Sequence, residues 1–284
     1  MTRSDSAVRV RGLTKRYGDH HAVGGVDLDI AAGEIFSLLG PNGAGKTTCV
    51  EILEGYRHRD GGEVEVLGID PAKADAHWKA RIGIVLQSTK DFSELTPTEA
   101  LSTCAAYYPN PRPVEEVLDL VGLTAKRKTR ADQLSGGQRR RLDVALGILG
   151  NPELLFLDEP TTGFDPEARR QFWGLIESLS DLGTTILLTT HYLDEAERLA
   201  DRVGVIADGR IVAVDTPAML GGRGTAAATV SWRGPNGPEH ISTDAPTKVV
   251  RDLADSFGGA EIPELVVSRP TLEDVYLQMI GAAK

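Results

Sequence analysis

The sequence predicts an α/β fold in which strands and helices alternate around a parallel sheet, followed by a small α/β appendage at the C-terminal end. Short apolar segments typical of buried strands, at residues 35–39, 154–157 and 185–189, recur between helical patterns. A glycine-rich loop follows the first of these segments and leads into a helical stretch. A long helical pattern, from about residue 88 to residue 135, separates the early strands from the late ones. Together these observations indicate a sheet of strand–helix units that carries a helical insert.

The remaining elements of this sheet follow in order along the chain. Residues 8–30 alternate strand-like pieces with turns. Val114, Val117, Leu118 and Val121 recur on one face of a predicted helix. Two short apolar runs flank Asp208-Gly209, which predicts a hairpin. The other predicted strands are residues 63–67, 82–86, 203–206 and 210–214, and the other predicted helices are residues 139–149 and 168–182.

A cluster of glycines at residues 220–224 predicts a linker, because the composition changes after it. We therefore expect two domains, residues 1–220 and residues 225–284, with the helical insert at about residues 88–135 of the first.

The second domain has a predicted α/β pattern of its own. Strands are expected at residues 229–232 and 265–268, and a helix at residues 248–257. The last helix is expected to begin at Thr271, where Asp274, three residues further on, completes a capping box.

Composition excludes several classes of protein. With 284 residues, 41% hydrophobic and 25% charged, the chain has the balance of a soluble globular protein. A net charge of −10 argues against a nucleic-acid partner. Cys49 and Cys104 have no paired spacing, so we expect packing roles for both in a reducing compartment. The polar N-terminus gives no sign of a signal peptide, and no apolar run is long enough to span a membrane.

Residues 40–48 read Gly-Pro-Asn-Gly-Ala-Gly-Lys-Thr-Thr and fit the phosphate-loop pattern. Strand, glycine turn and helix form the context that this pattern needs. Glycines let backbone N–H groups close around phosphate oxygens, and the helix N-terminus adds the positive end of its dipole. Lys46 can then reach phosphate oxygens, while the hydroxyl of Thr47 can bind Mg²⁺.

An acidic pair, Asp158-Glu159, directly follows the apolar strand at residues 154–157. Phosphoryl hydrolysis needs one carboxylate for Mg²⁺ and a second group that orients or deprotonates the attacking water. We assign Asp158 to the metal and Glu159 to the water. Acidic pairs are also common in solvated turns after strands, and the phosphate loop is what favours the functional interpretation.

The segment Ser135-Gly136-Gly137-Gln138 precedes the predicted helix at residues 139–149. Ser135 is a good N-cap residue, and the glycines expose N–H groups at the helix start, although a plain helix entry explains them equally well. The run Arg139-Arg140-Arg141 is a possible nucleic-acid patch, but at this net charge we expect a solvated helix face.

The set of motifs resembles the nucleotide-binding cassette of ABC transporters. Its motifs match in order at residues 40–48, Gln87, residues 134–138, residues 154–160, Asp165 and His191. The resemblance covers roughly residues 7–217. It implies a P-loop NTPase cassette with a RecA-like core, an antiparallel β subdomain and a helical subdomain, which binds ATP and Mg²⁺.

The resemblance also implies a role for each matching residue. Gln87 and His191 would join Glu159 as catalytic residues, with Gln87 sensing Mg²⁺ and the attacking water and His191 clamping the γ-phosphate. The expected metal ligands are Thr47, Gln87 and Asp158. The residues expected to bind nucleotide are Tyr17, Gly40, Pro41, Asn42, Gly43, Ala44, Gly45, Lys46, Thr47, Thr48, Ser135, Gly136, Gly137, Gln138 and Asp165.

Two of these roles have structural alternatives, and one position departs from the family pattern. Tyr17 would stack on adenine, although a lone tyrosine there is also compatible with core packing. A lone histidine at a strand end is more often structural than catalytic, and the order and spacing of the motifs are what favour the catalytic role for His191. Phe164 stands where the family usually has leucine, and because it is also apolar we expect no effect on activity.

Two further segments resemble the drug and antibiotic-resistance exporters of the daunorubicin type, namely Glu-Ile-Leu-Glu-Gly-Tyr-Arg at residues 51–57 and Pro-Thr-Leu-Glu-Asp-Val-Tyr-Leu at residues 270–277. This resemblance implies the ATPase subunit of a two-component exporter at the cytoplasmic face of the cell membrane. A second copy of the chain would complete each ATP site across the dimer. Ser135 and Gly137 would contact the nucleotide of the opposite copy, and a separate membrane permease would couple near residues 95–99.

Two other functions stay open at this stage. One is a soluble ABC ATPase with no transport role, since a fold alone does not establish transport. The other is a regulatory module that binds ATP without hydrolysing it, although the presence of both Glu159 and His191 argues against it. The transported substrate is not encoded in any motif of this chain.

Overall fold

A computed structural model describes residues 6–85 and 92–282, and the chain separates into two compact units between Val214 and Asp215. The division of function between residues 1–220 and residues 225–284 stays a prediction. Among the described residues, no helix is both long and apolar enough to cross a membrane.

The first unit contains two sheets and a set of helices. Its strands and helices, in chain order, are β1 (Ser6–Tyr17), β2 (His20–Ala31), β3 (Ile35–Leu39), α1 (Lys46–Leu53), β4 (Gly61–Val66), α2 (Ala76–Lys79), β5 (Ile82–Val85), α3 (Pro97–Ala105), α4 (Val114–Leu120), α5 (Gly136–Ile148), β6 (Leu154–Asp158), α6 (Pro166–Asp181), β7 (Thr185–Thr190), α7 (Leu193–Leu199), β8 (Arg202–Ala207) and β9 (Arg210–Asp215).

The larger sheet has six strands in the order β5-β6-β7-β3-β8-β9. The pairs from β5 to β8 are parallel, as the alternation of strands and helices predicts. Every residue of β3 and β7 is buried, as expected for central strands covered on both faces. In the register of these strands Leu39 lies opposite Thr190, and Asp158 lies opposite Thr189. The carboxyl ends of β3, β6 and β7 therefore meet at one edge of the sheet.

The smaller sheet is antiparallel, with the order β2-β1-β4. Along β2 the buried residues Val26, Leu28 and Ile30 alternate with the exposed Asp27 and Asp29, so one face packs inward. The inward residues join a hydrophobic cluster that also holds residues of β3 and α1. This cluster fixes the antiparallel sheet beside the loop that follows β3.

The helical insert is anchored by the apolar face that the sequence predicts. Val117, Leu118 and Val121 are fully buried and Val114 packs against them, in a cluster shared with α5 and β6. At about 1.5–3 kcal/mol for each buried aliphatic side chain, this face contributes much of the free energy that holds the insert against the rest of the unit.

Cys49, in α1, is also buried, which raises the pKa of its thiol to about 12, as expected for a packing residue.

The hairpin predicted at Asp208-Gly209 is present between β8 and β9. Both residues have positive φ, 47° and 73°, as a type I′ turn requires. The N–H of Gly209 donates to the carbonyl of Ala44 at 3.0 Å, and its carbonyl accepts from the N–H of Gly24 at 2.8 Å. The hairpin is therefore tied to the loop after β3 and to β2.

The second unit is a three-stranded antiparallel sheet with two helices. Its elements are β10 (Ala228–Gly234), β11 (Gly237–Thr243), α8 (Pro246–Ser256), β12 (Val266–Ser268) and α9 (Leu272–Ala282), with the strand order β11-β10-β12. β11 was not predicted, because it is an edge strand of mostly exposed residues without apolar alternation. The capping box at the last helix is confirmed, since Thr271 Oγ1 accepts from the N–H of Asp274 at 3.1 Å.

The glycine cluster at residues 220–224 is not a linker, so that prediction is wrong. Residues Leu220–Thr225 form a 3₁₀ segment, and Leu220 is fully buried. A Cβ on Gly221 would lie 2.2 Å from Cγ1 of Val275, so glycine here allows close packing against α9. Arg223 Nε also donates to the carbonyl of Pro270 at 2.9 Å.

Candidate functional site

The loop between β3 and α1 is closely packed at its glycines. Gly45 has a φ of 101°, and a Cβ there would lie 2.3 Å from the carbonyl oxygen of Ala22. A Cβ on Gly40 would lie 2.4 Å from the carbonyl oxygen of Ile206. Only glycine fits these two positions, which hold the loop against β2 and β8.

Lys46 begins α1 and directs its ammonium group back into this loop. The side chain is only 5% exposed, and Nζ donates to the carbonyls of Gly40 at 2.7 Å and Pro41 at 3.2 Å. Burial lowers the pKa of Lys46, while the carboxylates of Glu159 and Asp158 act in the opposite direction. The loop therefore encloses a desolvated positive charge, which is the feature that an incoming phosphate would neutralise.

The acidic pair lies at the end of β6 and is held by Thr189 of β7. Thr189 Oγ1 donates to Asp158 Oδ1 at 2.5 Å and accepts from the N–H of Glu159 at 3.1 Å. Glu159 has a φ of 43°, in the left-handed region. Sequence reasoning missed Thr189, whose only available signal is its position at the end of the apolar strand predicted at residues 185–189.

The carboxylate of Glu159 joins the loop to the histidine after β7. Its Oε1 lies 3.8 Å from Nζ of Lys46 and 3.3 Å from Nδ1 of His191. The His191 ring lies against Tyr192, with 4.1 Å between centroids. The structure thus brings together the ammonium of Lys46, the carboxylate of Glu159 and the imidazole of His191. In the sequence, Lys46 lies more than a hundred residues before the other two. Such a set can bind phosphate and accept a proton from water.

A cleft of about 270 Å³ lies in front of the phosphate loop. Its lining includes Tyr17, Asn42, Lys46, Thr47 and Glu159 from the predicted set, and His20, which sequence reasoning missed. Tyr17 is 41% exposed, so core packing does not account for it. The guanidinium of Arg57 lies 5.3 Å from the Tyr17 ring centroid, which holds the ring at the cleft entrance.

The second predicted phosphate-binding group lies at the start of α5. Ser135 caps this helix: Oγ accepts from the N–H of Gln138 at 3.3 Å, and Gln138 Oε1 accepts from the N–H of Ser135 at 3.1 Å. Gly136 and Gly137 form the first turn. Ser135 and both glycines line a different cleft, of about 420 Å³, which also contains Glu159 and Asp165.

Asp165 caps α6 through Oδ1, which accepts from the N–H groups of Glu167 and Ala168 at 2.9 and 2.8 Å. Phe164, which replaces the usual leucine, packs edge-on against Phe172 with 5.7 Å between centroids. The larger ring is therefore accommodated in the core. Gln87, the remaining predicted site residue, lies outside the described residues.

The prediction that Arg139, Arg140 and Arg141 form a solvated helix face is wrong. Arg140 is only 6% exposed; its Nε donates to the carbonyl of Pro160 at 3.0 Å and its Nη2 to that of Asp158 at 3.1 Å. Arg139 donates to the carbonyl of Ala131, and Arg141 Nη1 donates to that of Val121 at 2.8 Å. The helical spacing could have indicated that Arg140 is buried. It lies four residues before Val144 and eight before Ile148, so it shares a helix face with these two buried residues.

The possible metal ligands beside the phosphate loop suit Mg²⁺ better than a metal whose ligands all come from protein side chains. Among residues 6–85 and 92–282, no three His, Cys, Asp or Glu side chains are placed to hold a metal ion. Mg²⁺ usually takes one or two carboxylates and completes its shell with water and substrate phosphates. The hydroxyl of Thr47 and the carboxylate of Asp158 are donors of the required kind.

Comparison with known proteins identifies the family of this chain. A family model for the ABC transporter matches residues 23–162. A daunorubicin resistance ATP-binding protein of Streptomyces coeruleorubidus is 37% identical, covering 98% of this chain and 97% of the relative. Nod factor export ATP-binding protein I of Sinorhizobium fredii is also 37% identical, covering 99% of this chain and 88% of the relative.

Solved structures agree with the sequence relatives. The dimeric post-hydrolysis state of an ATP-binding cassette bound to ADP and Pi matches with a TM-score of 0.66 and 25% identity, covering 74% of this chain and 98% of that chain. The predicted cassette fold and the predicted family are therefore confirmed. This chain belongs to the ABC transporter family, as one of its ATP-binding ATPase subunits.

Proposed function

We propose that this chain hydrolyses ATP to power the export of a drug-like or lipophilic substrate through a separate permease at the cytoplasmic face of the membrane. Its relatives are named for daunorubicin resistance and for Nod factor export, which supports a role in export. The observation that carries the catalytic part of this proposal is the convergence of Lys46, Glu159 and His191 at one sheet edge.

Each of these side chains has a distinct task in the proposed mechanism. Lys46 binds the terminal phosphates of ATP, and Tyr17 stacks on the base at the cleft entrance. Glu159 accepts a proton from the attacking water, and His191, 3.3 Å away, holds that carboxylate and the γ-phosphate in register. Thr47, Asp158 and Gln87 would hold Mg²⁺, which when bound would neutralise charge on the phosphates.

A second copy of the chain completes the site in this proposal. Ser135, Gly136 and Gly137 line a different cleft from the one that contains Lys46. Exposed N–H groups at the start of α5 are suited to a phosphate presented by a neighbouring molecule. The dimeric state of the related cassette supports this arrangement.

The membrane partner is expected to contact the helical insert near residues 95–99. Thr96 caps α3 there, since its Oγ1 accepts from the N–H of Glu99 at 3.3 Å and Glu99 Oε2 accepts from the N–H of Thr96 at 2.8 Å. This reciprocal cap gives the surface a defined shape that a permease can recognise.

The substitution Glu159→Gln tests the catalytic assignment. The amide keeps the shape of the side chain but accepts a proton poorly, so kcat should fall by about 10²-fold or more while ATP affinity is retained. Glu167→Gln, at an exposed position in the first turn of α6, is the matched control. Turnover of the Glu159 variant within twofold of wild type would refute the assignment. Absence of hydrolysis in the wild-type protein would favour a regulatory module.

Export is tested in cells that produce the chain with its permease. Replacing the wild-type chain by the Glu159→Gln variant should raise intracellular accumulation of a fluorescent anthracycline. Unchanged accumulation, with ATPase activity abolished, would argue for a different cargo or for a soluble ATPase.

A further inference from the structure

We propose that Arg140 is a positioning residue for Glu159, which it holds by binding the backbone on both sides of it from helix α5. This inference rests on the proposed role of Glu159. Because Ser135 caps α5, the same contact links the group proposed to face a neighbouring nucleotide to the carboxylate of the chain's own site.

The backbone at Glu159 needs external support. Its φ of 43° is unfavourable for a residue with a side chain. The following residue is Pro160, which further restricts the conformation of the residue before it. Strained residues of this kind persist where the surroundings fix them, and they are concentrated at functional sites.

Arg140 supplies this support by binding the carbonyls of the residues immediately before and after Glu159. Nη2 donates to the carbonyl of Asp158, whose peptide bond precedes Glu159, and Nε donates to the carbonyl of Pro160. The planar guanidinium fixes the directions of both bonds at once. On the other side, the N–H of Glu159 donates to the carbonyl and to Oγ1 of Thr189, each at 3.1 Å. The residue is therefore held between α5 and β7.

The burial of Arg140 makes this contact a rigid one. The side chain is 6% exposed, and its Nη1 lies 3.9 Å from Oδ2 of Asp143 on the same helix. A side chain without these donors would leave buried carbonyls unsatisfied next to Glu159. If a neighbouring nucleotide binds at Ser135 and moves the start of α5, the side chain of Arg140 would transmit that movement to Glu159.

The variants Arg140→Met and Arg140→Lys test the proposal by steady-state ATP hydrolysis. Arg140→Met should lower kcat by about tenfold or more, because small displacements of catalytic groups cost up to about 10²-fold in rate. The KM for ATP should change by less than about threefold, because Lys46 and Tyr17 keep their contacts. Arg140→Lys, whose ammonium lacks the planar fork, should have an intermediate kcat.

Arg141→Met is the matched control. It removes the same charge one residue further along α5, from a side chain that contacts Val121 and Gln171 rather than the loop after β6. Its kcat should stay within about threefold of wild type. A kcat in Arg140→Met within twofold of wild type, or an equal loss in Arg141→Met, would overturn the proposal.

A double-mutant cycle with Glu159→Gln separates positioning from a general structural effect. If Arg140 acts through Glu159, adding Arg140→Met to Glu159→Gln should lower the single-turnover rate by less than about twofold. Multiplicative losses would overturn the proposal. Retained nucleotide affinity serves as the folding check, and Arg140→Lys replaces Arg140→Met in the cycle if the latter does not fold. Full turnover in Glu159→Gln alone would instead refute the proposed function.

Discussion

Glu54, the residue that follows α1, should make the stability of this protein depend on pH in an unusual direction. Its side chain is 8% exposed. Burial, with smaller contributions from Asp158 and Glu51, raises the pKa of Glu54 from 4.5 to about 8. Both neighbouring carboxylates repel the charge of an ionised Glu54, so they add to the cost of ionising it in the fold.

The sign and size of the effect follow from the two pKa values. A carboxyl group whose pKa is higher in the folded state binds its proton more tightly there than in the unfolded chain. Its contribution to stability is complete below pH 4.5 and is lost as pH rises towards 8. The gap between the two values sets an upper bound of about 5 kcal/mol, and we expect about 2 kcal/mol after local relaxation.

The substitution Glu54→Gln removes this titration while keeping the shape of the side chain. The free energy of unfolding of both proteins is measured with urea at pH 5 and at pH 8. The stability of the variant relative to wild type should be about 2 kcal/mol greater at pH 8 than at pH 5. Glu65→Gln, on the exposed face of β4, is the control and should show no such gain. A stability difference between Glu54→Gln and wild type that is the same at both pH values would refute the reasoning.

Two other substitutions test the cleft and the domain boundary. Lys46→Ala should weaken ATP binding by about 10²-fold, because charge-assisted hydrogen bonds to phosphate contribute about 1.5–3 kcal/mol each; calorimetric titration giving unchanged affinity would count against the phosphate-loop assignment. A chain that ends at Val214 should fold and bind ATP within about threefold of the full-length affinity, because the first unit has its own core. Loss of binding in a truncated protein with an intact circular dichroism spectrum would show that the boundary is wrong.

The parts of the fold that the sequence predicted are those set by local signals. The buried strand before the phosphate loop follows from an unbroken apolar run, and the hairpin follows from Asp208-Gly209. The order of strands in the sheet could not be predicted in this way. β3 pairs with β7, about 150 residues later, and only that long-range pairing brings Thr189 and His191 beside the phosphate loop.

Composition misled the sequence interpretation in two places where packing decides. The glycines at residues 220–224 have the composition of a linker, but they allow close packing against α9. Three consecutive arginines at a net charge of −10 favour a solvated face, yet Arg140 is buried because its helical position faces the loop after β6. In both cases the partner group is distant in sequence.

The sequence placed the site residues mainly through family resemblance. Without the resemblance, the phosphate-loop pattern identified Lys46, and the position after a predicted strand identified the acidic pair. These signals gave no reason to bring Glu159 within 3.3 Å of His191 or to place Tyr17 at the cleft entrance. These contacts depend on the register of β6 and β7 and on the position of the antiparallel sheet.

The central claim is that two copies of this chain close around ATP and that hydrolysis reopens them. Light scattering of the Glu159→Gln variant with saturating ATP and Mg²⁺ tests it most directly. Because binding closes the dimer and hydrolysis no longer opens it, we predict a mass near twice the 30.4 kDa of one chain. Adding Ser135→Arg should return the protein to the monomer, since the larger side chain would occupy the place of the neighbour's γ-phosphate. A Glu159→Gln protein that stays strictly monomeric at saturating ATP would contradict the account.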